Sequence, residues 1–235
     1  LSNLITTILN KCLNLAQSGL PQSCLLCGGR VVGSMLCTGC EADMPHLPRA
    51  RCPQCALPSA DGAICGHCLR RPPAFARTVA VYGYAFPLDA LVKHCKYGGA
   101  LEVTDWFADR LTAELAGAPP PDLIVPMPLH PTRLAERGFN QAAEIARRLA
   151  RRLEIPWSPE GCRRIRDTPP QAGLELKARR RNLRGAFTCD LDLTGKCVAL
   201  VDDVMTSGAS LDELAKVVRK AGAAEVHAWV VARTL

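Results

Sequence analysis

Eight of the thirteen cysteines in this chain stand in two matched sets. Cys24-x-x-Cys27 is followed after nine residues by Cys37-x-x-Cys40, and Cys52-x-x-Cys55 is followed after nine residues by Cys65-x-x-Cys68. The spacing recurs at an offset of 28 positions, so the segment is an internal duplication. A C-x-x-C turn puts two sulfurs on one side of a tight knuckle, and two knuckles supply the tetrahedral thiolate set that zinc favours. Four thiolates close the coordination shell, which implies two structural zinc ions rather than a catalytic ion with an open position. Metal binding then supplies most of the folding free energy, because Leu25, Leu26, Val31, Val32, Leu47, Leu57 and Ile64 make only a thin core. Spacing does not say whether each ion takes one repeat or ligands from both. His46 and His67 read as bystanders, and Cys12, Cys95, Cys162, Cys189 and Cys197 as small apolar residues.

A second constellation lies in 198–210, VALVDDVMTSGAS. Val198, Ala199, Leu200 and Val201 suit a parallel strand covered on both faces. Asp202 and Asp203 follow where that strand is expected to end, and in an open α/β sheet ligands bind at the carboxyl ends of strands. Burying two carboxylates without partners is costly, so a crevice suits them better than a core. Thr206, Ser207, Gly208, Ala209 and Ser210 form a turn without bulky side chains that enters an amphipathic helix over 211–220. Backbone N–H groups there can close around a phosphate at the positive end of the helix, with the Thr206 and Ser210 hydroxyls as further donors. Carboxylates for ribose hydroxyls beside a cradle for a 5′-phosphate describe a phosphoribosyl group. Neither G-x-x-x-x-G-K-[ST] nor G-x-G-x-x-G occurs, which leaves the usual nucleoside triphosphate and dinucleotide readings without support. The segment resembles the phosphoribosyl pyrophosphate (PRPP) binding motif of type I phosphoribosyltransferases.

The elements that must position these residues follow from pattern. At 235 residues and 48% apolar content, the chain accommodates one domain-sized core and a smaller module. We expect an amphipathic docking helix in 1–20, from the spacing of Leu4, Ile5, Ile8, Leu9 and Cys12, then a cysteine-rich module in 21–72. Pro72-Pro73 marks a boundary, and 73–235 alternates strands and helices. Strands are predicted at 78–85, 123–126, 186–189 and 226–232, the last closing the sheet; helices are predicted at 88–97, 101–116 and 140–153. The glycine pair Gly98 and Gly99 ends the first of these helices. Such a succession argues a parallel α/β domain with right-handed crossovers. No apolar run approaches the roughly 20 residues of a membrane span and no secretory signal is evident, so the expected location is cytoplasmic.

Charge is concentrated in one zone. From Arg133 to Arg184 there are fourteen Lys plus Arg against six Asp plus Glu, a net +8 that exceeds the +7 of the whole chain. Part of it lies in 122–141, DLIVPMPLHPTRLAERGFNQ, where a Pro-Met-Pro turn leads to Arg133 and Arg137 in one loop; arginine suits bidentate phosphate contacts. The rest lies in 166–187, RDTPPQAGLELKARRRNLRGAF, read as a turn-rich loop becoming a basic helix. Such a zone attracts a polyanion, whether pyrophosphate or a nucleic-acid backbone.

Taken together, the doubled C-x-x-C module, Lys93, Lys96, Tyr97 and Gly98 (a K-Y-x-G segment), PMPLHPTRLAERGFNQ, the spaced set Thr168, Gln171, Leu174, Arg179 and Asn182, Gly185-Ala186-Phe187, and VALVDDVMTSGAS resemble the ComF family over nearly the whole chain. The resemblance implies a type I phosphoribosyltransferase-like parallel sheet with a small N-terminal cysteine-rich double zinc ribbon. It implies PRPP with magnesium as ligand and displacement of pyrophosphate by an unidentified acceptor. Asp202 and Asp203 would position the ribose, 206–210 would anchor the 5′-phosphate, and Met127, Pro128 and Leu129 would line the pyrophosphate. Arg133, Arg137 and Arg179 would neutralise it, Lys96 would join the substrate site, and 166–182 would cover it. The family also implies a role in natural transformation or DNA utilisation. There the chain would hold single-stranded DNA, with Arg147, Arg148, Arg151 and Arg152 as candidate contacts, or dock a competence helicase or DNA-channel protein. Neither 78–116 nor the cysteine module carries a base-reading signature, and 5% aromatic content offers no obvious stacking platform.

Overall fold

In the computed structural model, which describes residues 21–167 and 182–235, residues 21–72 fold around their cysteines. A two-stranded antiparallel ribbon of β1 (Pro21–Ser23) and β2 (Arg30–Val32) is followed by α1 (Thr38–Ala42) and, in the second repeat, α2 (Gly66–Arg70). The duplication is visible in the backbone. Gly28 (φ +72°) and Gly33 (φ +67°) are left-handed, and the residues 28 positions on, Ala56 (φ +58°) and Asp61 (φ +53°), keep that conformation without being glycine.

The larger domain begins with β3 (Arg77–Gly83), α3 (Leu88–Gly98) and α4 (Leu101–Glu114). Then come β4 (Leu123–Pro126), α5 (Pro131–Arg137), α6 (Gln141–Leu153), β5 (Cys162–Arg164), β6 (Phe187–Cys189), β7 (Cys197–Met205), α7 (Ala209–Lys220) and β8 (Glu225–Arg233). Four strands form a parallel sheet in the order β3-β8-β7-β4. Its two faces are distinct cores. Along β7, Val198 and Leu200 pack with Leu211, Leu214 and Val218 of α7, whereas Ala199 and Val201 pack with Trp106, Phe107, Ile145 and Leu149 of α4 and α6. This alternation is why the strand reads as continuously apolar.

Several expectations are revised. The last strand does not close the sheet: β8 lies between β3 and β7, where all its residues after Glu225 are buried. Residues 186–189 are not in the main sheet, because β6 pairs antiparallel with the unpredicted β5. The loop expected after β4 contains a helix, α5, with His130 as its cap, Pro131 in its first turn and Gly138 left-handed at its end. Most consequentially, β7 does not stop at Val201. It runs on through both aspartates to Met205, because β8 continues beside it, pairing Asp202 with Val230 and Met205 with Arg233. On its other side β4 ends at Pro126, opposite Val201. The carboxylates therefore sit inside a strand but beyond its neighbour's end, where the sheet opens. The expected helix in 1–20 lies outside the described residues.

The cysteine module covers the free edge of β3. Thr78 N–H donates to Pro53 O at 2.8 Å and Gly83 N–H to Pro45 O at 2.7 Å, which satisfies edge donors that would otherwise invite another strand. It straddles that edge: Cys24, Leu36 and Met44 join the core with Trp106, and Leu47 and Ala56 join the core with Met205 and Ala209. Among the described residues, no helix is long and apolar enough to cross a membrane.

Candidate functional site

The cysteine sets resolve by repeat. The ligand atoms of Cys24, Cys27, Cys37 and Cys40 lie within 4.8 Å of one another, as do those of Cys52, Cys55, Cys65 and Cys68. Cys27 Sγ is 3.7 Å from Cys37 Sγ, and Cys55 Sγ is 3.6 Å from Cys65 Sγ. A tetrahedron with Zn–S of about 2.3 Å has edges of about 3.8 Å, so both sets fit the ion. Equivalent amides support equivalent sulfurs, Cys37 N–H to Cys24 Sγ at 3.4 Å and Cys65 N–H to Cys52 Sγ at 3.3 Å. Despite burial, such amides hold the Cys24 thiol down to about 6, whereas hydrogen bonds to Cys37 and Cys27 push Cys40 up. Sulfurs this crowded cannot all be thiolates without a cation between them. A further grouping of ligand types, Cys197, Glu225 and His227, lies at the amino end of the sheet. There Cys197 Sγ is 3.8 and 3.7 Å from the two ring nitrogens of His227, and His227 Nε2 is 2.7 Å from Glu225 Oε1.

At the opposite edge, Asp203 is 8% exposed and its Oδ2 is 2.7 Å from Lys96 Nζ, delivered by the last turn of α3. Burial alone would lower the Lys96 pKa, but the Asp203 carboxylate outweighs it and the pKa rises. Asp203 Oδ1 accepts from Val204 N–H at 2.8 Å, and Asp202 Oδ1 from Asp203 N–H at 2.9 Å. Three of the four carboxylate oxygens are thus engaged by the protein, which makes the pair a poor all-protein cation cage.

Asp202 differs from its neighbour. Burial first, and then the charge of Asp203, raise its pKa to about 8, against Lys96 and the Asp203 amide, which lower it. The folded state therefore holds a proton that the unfolded chain releases near pH 4, so stability falls as pH rises from about 4 to about 8. Asp202→Asn is expected to abolish that slope and to raise the melting temperature of the unliganded protein most at pH 8. A melting series from pH 4.5 to 8.5 checks it; parallel curves for the two proteins would refute it.

The loop at 206–210 follows directly. Gly208 is left-handed (φ +76°) and caps α7, which starts at Ala209, two residues earlier than predicted. Asp202, Thr206, Ser207, Gly208 and Ser210 line a small cavity of about 30 Å³. On the other side, Met127 is anchored by its N–H to Val201 O at 2.8 Å, and its carbonyl accepts from Asn140 Nδ2 at 3.0 Å. Asn140 also caps α6. Pro128 and Leu129 continue into a cavity of about 470 Å³ shared with His130, Arg163 and Arg164.

Arg137 donates to Gln141 Oε1 at 3.3 Å and lies near enough to Lys96 to oppose its charge. Arg133 faces Glu136 at 3.5 Å and stands beside Arg164. Arg179 lies outside the described residues, as do Thr168, Gln171, Leu174 and most of the expected covering loop. Two arginines escaped sequence reasoning. Arg164, on β5, stacks on Phe187 at 5.9 Å, has its pKa lowered by burial, and is felt by Asp167, Arg133 and Asp202. Arg233, 5% exposed at the end of β8, contacts the start of the 206–210 loop. Neither stands in a motif, and an apolar run such as VHAWVVAR gives no sign that its terminal arginine turns inward.

The basic helix α6 carries less free charge than its sequence suggests. Arg148 and Arg152 reach Asp105 of α4 at 3.2 and 3.0 Å, Arg152 also Asp109 at 2.8 Å, and Arg147 pairs with Glu144 at 2.8 Å. Of the four arginines singled out there, Arg151 is the exposed one.

Comparison with known proteins agrees with this geometry. The family model described as Double zinc ribbon domain matches residues 15–69, and that described as Phosphoribosyl transferase domain matches 135–234. DNA utilization protein YhgH of Escherichia coli is 35% identical over 207 residues, covering 85% of this chain and 91% of that one. Competence protein F of Haemophilus influenzae is 32% identical over 222 residues, covering 89% and 96%. Competence protein ComFC of Bacillus subtilis is 26% identical over 209 residues, covering 85% and 84%. With both segments matched and the likeness spanning most of each relative, the chain belongs to the ComF family, in which a double zinc ribbon is joined to a phosphoribosyltransferase-like domain.

Proposed function

We propose that this protein binds PRPP with magnesium and serves DNA uptake or utilisation, with transfer of a phosphoribosyl group to an unidentified acceptor as the reaction its site is suited to. The observation that carries the reading is the cavity that Asp202 shares with the 206–210 loop, next to the Asp203–Lys96 pair, where β7 runs past the end of β4. Asp202 and Asp203 would accept the ribose hydroxyls and orient the ring as the bond from its anomeric carbon to pyrophosphate breaks. Lys96 Nζ, 2.7 Å from Asp203 Oδ2, would hold that side chain in place for the task. Amides at the start of α7 would hold the 5′-phosphate, and Arg133, Arg137 and Arg164 would answer the departing pyrophosphate. Magnesium, when bound with PRPP, would offset charge on the pyrophosphate.

Calorimetric titration of zinc-loaded protein with PRPP and magnesium tests the reading. Saturable binding that ribose 5-phosphate competes away is expected; no heat at millimolar PRPP would refute it. The DNA role draws on the likeness to DNA utilization protein YhgH and Competence protein F. Single-stranded DNA, or a competence helicase or channel protein, would be the partner. Because Arg148 and Arg152 are occupied within the fold, exposed Arg151 is the better candidate for phosphate contact. Arg151→Gln is expected to reduce the salt dependence of single-stranded DNA binding by about 0.7 in log–log slope, with PRPP affinity unchanged. An unaltered slope would put the DNA contact elsewhere.

A further inference from the structure

The second zinc knuckle is joined to the phosphate loop by a continuous set of hydrogen bonds. Three successive carbonyls of that knuckle accept from the larger domain: Pro53 O from Thr78 N–H at 2.8 Å, Gln54 O from the Thr78 hydroxyl, and Cys55 O from Arg233 Nε at 2.8 Å. The far end of the Arg233 guanidinium donates from Nη1 to Met205 O at 3.1 Å, to Thr206 O, and to Thr234 O at 2.7 Å. Met205 ends β7 and Thr206 opens the loop. One planar cation thus grips the backbone of a zinc ligand with one nitrogen and the first loop carbonyls with another. Because guanidinium donors are fixed in a plane, the spacing between Cys55 and the loop is held.

The alternative, a buried arginine that only satisfies stray carbonyls, does not explain why the acceptors fall into two groups on opposite sides, one on a metal-held turn. The surroundings agree. Cys55, Cys68 and His67 share a cavity of about 160 Å³ with Ser207, Gly208 and Ala209, so the second cysteine set and the loop form facing walls of one space. The first set lies against the other face of the sheet, near Trp106, and its cysteines do not line that cavity.

We infer that the second zinc site is part of the phosphate site's support, and that Arg233 is the positioning residue that links zinc coordination to the shape of the 206–210 loop. The inference rests on the PRPP reading for its ligand, not for its geometry. The ribbon then has a role inside the transferase-like site besides any contact with partners, and loss of one particular zinc would weaken phosphate binding.

The test compares full-length zinc-loaded variants by metal content, PRPP–magnesium titration, and hydrogen exchange of the Thr206, Ser207, Gly208 and Ala209 amides. Arg233→Met is expected to keep both zincs, weaken PRPP about tenfold and speed loop exchange, with part of the loss recovered in Arg233→Lys. Cys65→Ser should lose one zinc and match Arg233→Met, whereas Cys27→Ser should lose one zinc yet bind PRPP within about twofold of the parent. Thr78→Val, which removes one knuckle bond without touching the loop, should show a smaller effect of the same sign, and it stands in if Arg233→Met does not fold. Unchanged affinity and exchange in Arg233→Met, or equal losses in Cys27→Ser and Cys65→Ser, would overturn the inference. If the parent protein binds no PRPP, the functional reading fails, and exchange rates alone decide this one: acceleration in Arg233→Met and Cys65→Ser but not Cys27→Ser supports it, and equal rates refute it.

Discussion

Replacing Asp202 and Asp203 together with Asn is expected to cost PRPP at least about a hundredfold in affinity, since both side chains that would hold the ribose lose an oxygen acceptor at once. The variant keeps side-chain volume, and the strand that carries both residues is held by β8 through backbone bonds, so the sheet should persist. The single variants separate binding from stability. Asp203→Asn leaves the mostly buried Lys96 ammonium without its partner, and breaking a buried pair from one side typically costs about 3–5 kcal/mol. Because Lys96 and Asp203 retain 22% and 12% side-chain exposure, the lower end of that range or less is expected. Asp202→Asn instead relieves a carboxylate held in its protonated form by burial, so it should stabilise the empty protein while weakening the ligand. Adding Lys96→Met to Asp203→Asn should restore melting temperature without restoring binding. Titration calorimetry and thermal melts on the four variants decide the matter. PRPP binding that survives the double substitution would move the ribose site elsewhere.

Removing zinc has the second large effect. For structural sites of this type, metal binding contributes apparent free energies of about 10–16 kcal/mol in isolated peptides at pH 7. With only short elements and a thin core, the module has little else to replace that contribution. Stripping the metal with a thiol-reactive mercurial and a chelator is expected to release two zinc ions per chain and unfold the module. The consequence extends beyond it. The Thr78 and Gly83 amides on β3 would lose their carbonyl partners and present an open sheet edge, so the stripped protein should associate as well as unfold locally. Metal release followed by spectrophotometry, with light scattering and hydrogen exchange over β3, checks this. Release without protection loss at β3 would mean the edge is held by other contacts.

The parts legible before folding were those written locally. Two knuckles at repeated spacing state a four-thiolate site without help from the rest of the chain, and the repeat itself argues for two. The apolar run at 198–201, the paired aspartates and the small-residue turn define a strand, acids and a helix start within thirteen positions. The helices expected at 88–97 and 140–153 are found at 88–98 and 141–153; the glycine pair marked the end of the first, whereas Asn140 proves to cap the second rather than join it. What local pattern could not supply was the length of neighbouring elements. Asp202 and Asp203 lie beyond the end of a neighbouring strand because β4 stops at Pro126 while β8 runs on to Arg233, and no feature of VALVDD contains either fact.

Charge behaves the same way. A count of arginines on α6 describes a basic surface, but Asp105 and Asp109, more than forty residues earlier, turn Arg148 and Arg152 into helix-packing contacts. The zinc chemistry, the acidic pair with its small-residue turn, and the α/β class were legible from sequence, since each depends on residues within a few turns of one another. The tertiary structure alone decided that each zinc takes its ligands from a single repeat, that Lys96 answers Asp203, and that Arg164 and Arg233 belong to the site. Those pairings join residues separated by long stretches of chain, and the energy that selects them comes from burial and hydrogen-bond satisfaction, which exist only once the sheet has assembled.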